Sequence, residues 1–535
     1  MELPYNKCAR KLQELLYAQY PIIFLRSSEE SRAINCVIEA HRNLVASDIQ
    51  DGELARWSSI DGFQKLISEN TWQSIASMNE PNTDPIVTAL NFLRRREREL
   101  ISKNLDSQYT YILPDWSAII EPTCHMNARQ LKELVIAIEE KLPRPRISLI
   151  IVGKEWTIPT ILRNNVHILD LPLPIGAELH QSIFSVAVHK YQLDEQDAVR
   201  LSEQAQGMPL QAALQTAKLI TTKNLWSNSD AAGDLLLEVK KQEIHKTGVL
   251  EYFAPQGEGL MEVGGLERIK NWVQNRREWF EQDTNPEMRP RAILLEGFPG
   301  CGKTFIARAI AQEWRVPQIN FEISRLQSKW VGESESNTYH ALRAIEASAP
   351  NILFMDEIEK AFSGVGGDST GVSTRQFGTF LSWLNDHQYP IFFIATSNDR
   401  TVLPPELFRA GRFDEIFIVM PPNTRERYEI ISKRAAYFKI PSISSSTLDY
   451  LIKNTQGFSG AELDKLVKEV IYLAGWANTP NETHWHEALY KIKPQYRTPK
   501  MQALLQKYYI LLAEGGGQQA SNIEQGFLET LITTT

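Results

Sequence analysis

Residues 297–304 read Gly297-Phe298-Pro299-Gly300-Cys301-Gly302-Lys303-Thr304. This is the spacing G-x-x-x-x-G-K-[ST], in which the glycines let backbone N–H groups turn toward the β- and γ-phosphates of a nucleotide. Lys303 adds a positive charge at that point and Thr304 a hydroxyl for Mg2+. A helix starting there also presents the positive end of its dipole to the anion. Further on, the apolar run Asn351–Met355 ends in Asp356-Glu357. Adjacent carboxylates at the end of a buried strand are costly unless something uses them. Asp356 suits holding Mg2+ through water, and Glu357 suits polarising an attacking water. A third apolar run, Ile391–Thr396, leads into Ser397-Asn398. An asparagine there can orient water near a γ-phosphate, although alone it equally suits a turn. Arg409 and Arg412 stand three apart among apolar residues in LPPELFRAGRFDEIF. Alone they are equally ion-pair partners; beside the preceding residues they look like arginine fingers, which stabilise charge on a transferring phosphoryl group.

The elements that must carry these groups are also legible. RAILLE before the loop reads as a buried parallel strand, and FIARAIAQEW after it as a helix. The N-terminal half has its own apolar runs at Tyr20–Leu25, Tyr109–Leu113, Ile147–Val152 and Val166–Leu171, alternating with helical patterns such as ARQLKELVIAIEEKL. Such alternation predicts an α/β domain with a parallel sheet. Its first strand is followed by RSSEESRAI, with no glycine and with Glu29 and Glu30 where a phosphate loop needs positive character. ATP binding is not expected there. AQGMPLQAAL (Ala205–Leu214) nevertheless echoes TQGFSGAELDKL in the C-terminal half. The pattern predicts a degenerate repeat of the second half, against the alternative of an unrelated α/β domain.

VGGL (Val263–Leu266), the phosphate loop, KWVGESE (Lys329–Glu335), ILFMDEIEK, ATSN, RAGR and GFSGAEL (Gly457–Leu463) occur in the order of an AAA+ ATPase module, which this region resembles. The resemblance implies a C-terminal α/β parallel-sheet core with a helical lid, binding ATP and Mg2+, preceded by a degenerate AAA-like α/β domain. It implies a homo-oligomeric ring, often of six subunits, in which Arg409 and Arg412 reach the neighbour's γ-phosphate. Val263, Gly264, Gly460 and Ala461 would sit near the adenine and ribose. Trp330-Val331-Gly332 matches a channel loop that grips an extended chain, although a Trp packed in its own domain is the plain alternative. Ala361–Gln376 resembles a second such loop. In this family the phosphate loop usually has Pro where Phe298 stands. The expected domains are 1–175 (degenerate core), 176–245 (lid-like segment and linker), 246–424 (ATPase core), 425–513 (lid and C-terminal helices) and 514–535 (flexible tail). The whole layout is most similar to an AAA-domain family known as a hypothetical open reading frame of algal chloroplast genomes and cyanobacteria.

Bulk properties fit. A chain of 535 residues suggests two to four domains, and 43% apolar with 23% charged residues is ordinary for a globular protein. A net charge of −8 offers no general footprint for nucleic acid. The run Arg94–Arg98 is interleaved with glutamate and reads as a solvated helix face. Four scattered cysteines form no CxxC pair and fit a reducing compartment. With no secretory pattern and no apolar run long enough to span a bilayer, bacterial cytosol or chloroplast stroma is expected. The expected function is ATP-driven remodelling of a protein client. The rivals are a nucleotide-dependent switch or scaffold and, last, a nucleic-acid-associated ATPase.

Overall fold

The computed structural model describes residues 3–522 except 48–50, 69–70, 76–83, 101–106, 121–124, 141–145, 282–285, 323–333, 363–371, 410, 442 and 476–478. The chain divides into two compact units, Met1–Val239 and Lys240–Thr535.

The second unit is built on β8 (Leu250–Phe253), β9 (Ala292–Gly297), β10 (Gln318–Phe321), β11 (Asn351–Met355), β12 (Ile391–Ser397), β13 (Glu415–Val419) and β14 (Gln518–Gln519). They lie in the order β14-β13-β9-β12-β11-β10-β8. Every pairing from β13 to β10 is parallel, and β8 closes the edge antiparallel. Every residue of β9, β11 and β12 is buried. That is why they read as unbroken apolar runs: helices cover both faces, so there is no wet side to alternate toward. The helix Lys303–Glu313 turns Ile306, Ala307 and Ile310 into this core against Ile293, Leu295 and Ile394.

A separate helical lid follows, formed by Thr424–Tyr437, Ser445–Asn454, Gly460–Ala474 and Glu482–Lys491 around Ile431, Leu451, Leu466 and Trp485. Three of its helices start in capping boxes, Asn423 with Glu426, Ser459 with Glu462 and Asn481 with His484. Each box satisfies two otherwise orphaned donors and fixes where the helix begins. The last helix, Pro499–Ala513, leaves the lid. It packs Leu505 and the half-buried Met501 and Leu504 against the ATPase-core cluster.

The chain expected to go free from residue 514 does not do so through Asn522. β14 pairs in parallel with β13, Ala520 is buried in the core, and the Ala520 N–H donates to the Ile418 carbonyl at 3.0 Å. The triple glycine does break the helix, but an open strand edge is available beside it, and unpaired edge groups readily accept another strand.

The first unit contains β1 (Ile22–Arg26), β2 (Asp51–Ser58), β3 (Gly62–Ser68), β4 (Thr71–Ser74), β5 (Ser107–Pro114), β6 (Arg146–Gly153) and β7 (Val166–Asp170). Their order is β4-β3-β2-β5-β6-β1-β7, parallel from β2 to β7, with β3 and β4 added antiparallel. In chain order its parallel strands run 5-1-4-3-2, the same order as β13-β9-β12-β11-β10 in the second unit. A helical cluster built on Leu179, Phe184, Leu201, Trp226 and Leu236 then occupies the place of a lid in the chain. The echo between Ala205–Leu214 and the second lid therefore reflects a repeated architecture.

Candidate functional site

The phosphate loop leaves β9 through Gly297, at φ +152°; a Cβ there would stand 2.1 Å from the Val419 carbonyl oxygen. Gly300 and Gly302 follow at φ +76° and +89°, in the left-handed region that glycine adopts without steric penalty. Lys303 reaches back into the loop. Its Nζ donates to the Gly297 carbonyl at 2.7 Å, to the Phe298 carbonyl at 3.2 Å and to Asn398 Oδ1 at 2.9 Å. Burial pushes the lysine below the usual ammonium range, an effect that an anion entering the loop would reverse.

The carboxylates lie alongside. Thr304 Oγ1 donates to Asp356 at 3.2 Å, and Asp356 also accepts from the Thr396 hydroxyl. Glu357 sits at φ +48°, held there by its N–H donating to Thr396 Oγ1 at 2.8 Å. Its carboxylate accepts from Asn398 Nδ2 at 3.2 Å and pairs with Lys360. One amide side chain, Asn398, thus bridges the loop lysine and the second carboxylate. A hydroxyl and a carboxylate this close are hard oxygen donors suited to Mg2+, which takes few protein ligands and keeps waters and phosphate oxygens for the rest.

These groups open on a cavity of about 530 Å³. It is lined by Pro299–Thr304, Asp356, Glu357, Thr396 and Asn398, and also by Val263, Gly264, Gly460 and Ala461. The lid closes on the loop where the Ala461 N–H donates to the Gly300 carbonyl at 2.9 Å. Cys301 is buried beneath, and burial pushes its thiol up to about 12, so it stays protonated.

Residues not singled out from sequence also line the cavity: Ile430, Lys433 and Arg434 from the first lid helix and Asp464 from the third. Lys433 donates to the Val263 carbonyl at 2.8 Å, and Arg434 pairs with Asp464. Their i, i+3, i+4 spacing on one helix face was the available signal. It carried no motif of its own.

Arg409 is exposed and does not line the cavity, and neither does Arg412, which donates to the Glu406 carbonyl. Trp330, Val331 and Gly332 lie outside the described residues, as does most of the stretch read as a second channel loop. The Arg94–Arg98 run divides among partners on its own unit: Arg94 pairs with Glu133 and Arg96 with Glu53 and Glu99.

Phe298, the departure in the loop, is fully buried in the core, and its N–H donates to Val419 at 2.9 Å. Phe298→Ala should cost about 3–5 kcal/mol of stability. Denaturant unfolding with and without nucleotide would measure it. A loss below about 1 kcal/mol would mean the ring is not part of the packed core.

At the matching place in the first unit, Glu29 follows β1 instead of a glycine loop. Its buried carboxylate accepts from the Leu210 N–H, at the start of the helix Leu210–Thr222. It also pairs with Arg32, which in turn holds Glu178 at 2.6 Å. Burial raises Glu29 above the usual carboxylate range, opposed by Arg32 and the backbone donors. Asp115, directly after β5, is left-handed at φ +61°, like Glu357 after β11. An acid persists there, but no lysine faces it from a phosphate loop.

Comparison with known proteins agrees. Residues 293–421 match the ATPase family associated with various cellular activities (AAA), and residues 8–171 match the SpoVK-like AAA ATPase N-terminal domain. The uncharacterized AAA domain-containing protein ycf46 of Trieres chinensis is 32% identical over 476 residues, covering 86% of this chain and 88% of its own. That of Pyropia yezoensis is 30% identical over 469 residues, covering 86% and 89%. Protein SAV of Sulfolobus acidocaldarius is 33% identical over 221 residues, covering 39% of this chain and 27% of its own. With an AAA ATPase core whose nucleotide loop is intact, set behind an α/β domain that has lost its own, the chain belongs to the ycf46 family of AAA-domain proteins.

Proposed function

We propose that the protein hydrolyses ATP with Mg2+ as one subunit of a homo-oligomeric ring, six-membered by preference, and uses the cycle to remodel or take apart a protein partner. The observation that carries this reading is a division of parts. Lys303, Thr304, Asp356, Glu357 and Asn398 converge on one cavity, while Arg409 stands exposed and away from it. A cavity that neither Arg409 nor Arg412 of its own chain lines is what a finger supplied by a neighbour requires.

In this reading Lys303 and the loop N–H groups hold the β- and γ-phosphates, and the Val263–Gly264 and Gly460–Ala461 backbones bracket the base and ribose. Thr304 and Asp356 would hold Mg2+, which supplies charge neutralisation on the phosphates when bound. Glu357 and Asn398 orient the attacking water. The Glu357–Lys360 pair must open first, because a carboxylate engaged by an ammonium is a poorer acceptor for a water proton. Among the described residues no helix is long and apolar enough to cross a membrane. Chloroplast stroma or bacterial cytosol is the compartment proposed.

Client contact is assigned to Trp330-Val331-Gly332, from their place between the phosphate loop and the acidic strand. The test is capture of a client by Glu357→Gln in ATP, with and without Trp330→Ala. Loss of the captured protein in the double variant supports grip in a channel. Equal capture by both refutes it and moves recognition elsewhere. A switch or scaffold is the second reading, favoured by a first unit whose lid is tied down by Glu29 and needs no nucleotide. It predicts a partner affinity that differs between ATP- and ADP-bound protein.

A further inference from the structure

The C-terminal helix Pro499–Ala513 and β14 hold the segment that follows β12 at three consecutive residues. The Tyr508 hydroxyl donates to the main-chain carbonyl of Asn398 and lies 3.2 Å from that of Gly297, where the phosphate loop begins. Lys507 Nζ stands 2.6 Å from Asp399 Oδ1 and 3.3 Å from Thr401 Oγ1. Arg400 pairs with the buried Glu296 of β9 and donates to the Gly516 carbonyl, just ahead of β14. Asn398 is therefore held twice. Its side chain bridges Lys303 and Glu357, and its backbone carbonyl accepts from a tyrosine with no solvent exposure.

We propose that Tyr508 is a positioning residue of the ATPase centre, through which the C-terminal helix and strand set the aim of the Asn398 amide. This rests on the ATPase reading above. The geometry leaves little slack. Gly297 ends β9, Asn398 directly follows the neighbouring strand β12, and a single phenol group touches both carbonyls. Removing it frees the Asn398 peptide to rotate, which swings the amide away from Lys303 and Glu357. Misplacement of about 1 Å at a reacting centre can cost about 100-fold in rate. The core packing of the same helix rests on other residues, Leu505 above all. Packing and positioning can therefore be separated by mutation.

The experiment compares Tyr508→Phe, which keeps the ring and deletes the hydroxyl, with Leu505→Ala, which loosens the packing and leaves the hydroxyl. In the full-length chain Tyr508→Phe should lower kcat about 10- to 100-fold, with ATP affinity changed by less than about threefold. Leu505→Ala should lower the thermal midpoint yet keep kcat per folded chain within about twofold. Amide hydrogen exchange supplies the second reading: in Tyr508→Phe, residues 397–401 should exchange faster while β9 and β11 stay protected. A kcat within about twofold of wild type, or unchanged exchange across 397–401, overturns the proposal. If the wild-type chain turned over no ATP, the ATPase reading would fall by itself, and the exchange measurement alone would decide the role of Tyr508.

Discussion

Replacing Glu357 with glutamine should lower ATP turnover by about 10²–10⁴-fold, the range over which a positioned base contributes to proton transfer. ATP affinity should stay within about threefold of wild type, because the nucleotide contacts proposed above come from Lys303 and the loop backbone. The substitution is nearly isosteric. Glutamine can still meet Asn398, and the φ of +48° depends on the backbone bond to Thr396 and not on the carboxylate. Steady-state phosphate release and equilibrium binding of a fluorescent nucleotide would separate the two effects. Equal loss of both would show that Glu357 supports the loop's structure; loss of neither would remove it from the chemistry.

The second large effect concerns Arg409. Fingers in well-studied nucleotide hydrolases are worth about 10³–10⁵ in rate, so Arg409→Ala should lose at least about 10³-fold with binding preserved. What distinguishes a finger acting on a neighbour is complementation. Glu357→Gln subunits keep Arg409 but cannot activate water; Arg409→Ala subunits keep an intact cavity but lack the guanidinium. Mixed, they should regain turnover that neither has alone, and wild-type turnover per chain should rise with protein concentration. No recovery on mixing, with each variant still assembling, would place the arginine's action within its own chain or remove it altogether. Arg412 is the weaker candidate, since its guanidinium already serves the Glu406 carbonyl.

How much of this was legible follows from what sequence patterns encode. The phosphate loop, Asp356-Glu357 and Asn398 were readable because each ends an apolar run, and parallel strands ending side by side must bring such residues together. The order 5-1-4-3-2 in the first unit was not readable. Strand order lies in pairings distant along the chain, and only the Ala205–Leu214 echo hinted at it. The docked strand at Gln518–Gln519 was hidden for a related reason. Three glycines and two glutamines carry no apolar signal, and the strand exists because an edge of β13 awaits a partner. Tyr508 escaped because a buried tyrosine in YYILLA looks like any core aromatic until its hydroxyl is located. Lys433, Arg434 and Asp464 were passed over because charged residues on a lid helix read as solvent-facing by default.

The Glu29 carboxylate has a consequence for how the two halves answer the energy state of a cell. In the second unit the lid meets the phosphate loop at a cavity, so a ligand that enters stabilises closure by an amount that grows with the logarithm of its concentration. In the first unit the negative charge at the start of the corresponding lid helix belongs to the chain itself. Such an internal anion has no dissociation constant and cannot be exchanged. Its lid should be equally closed in starvation and in plenty. One chain thus contains a fuel gauge and, built to the same plan, an instrument whose needle is soldered in place.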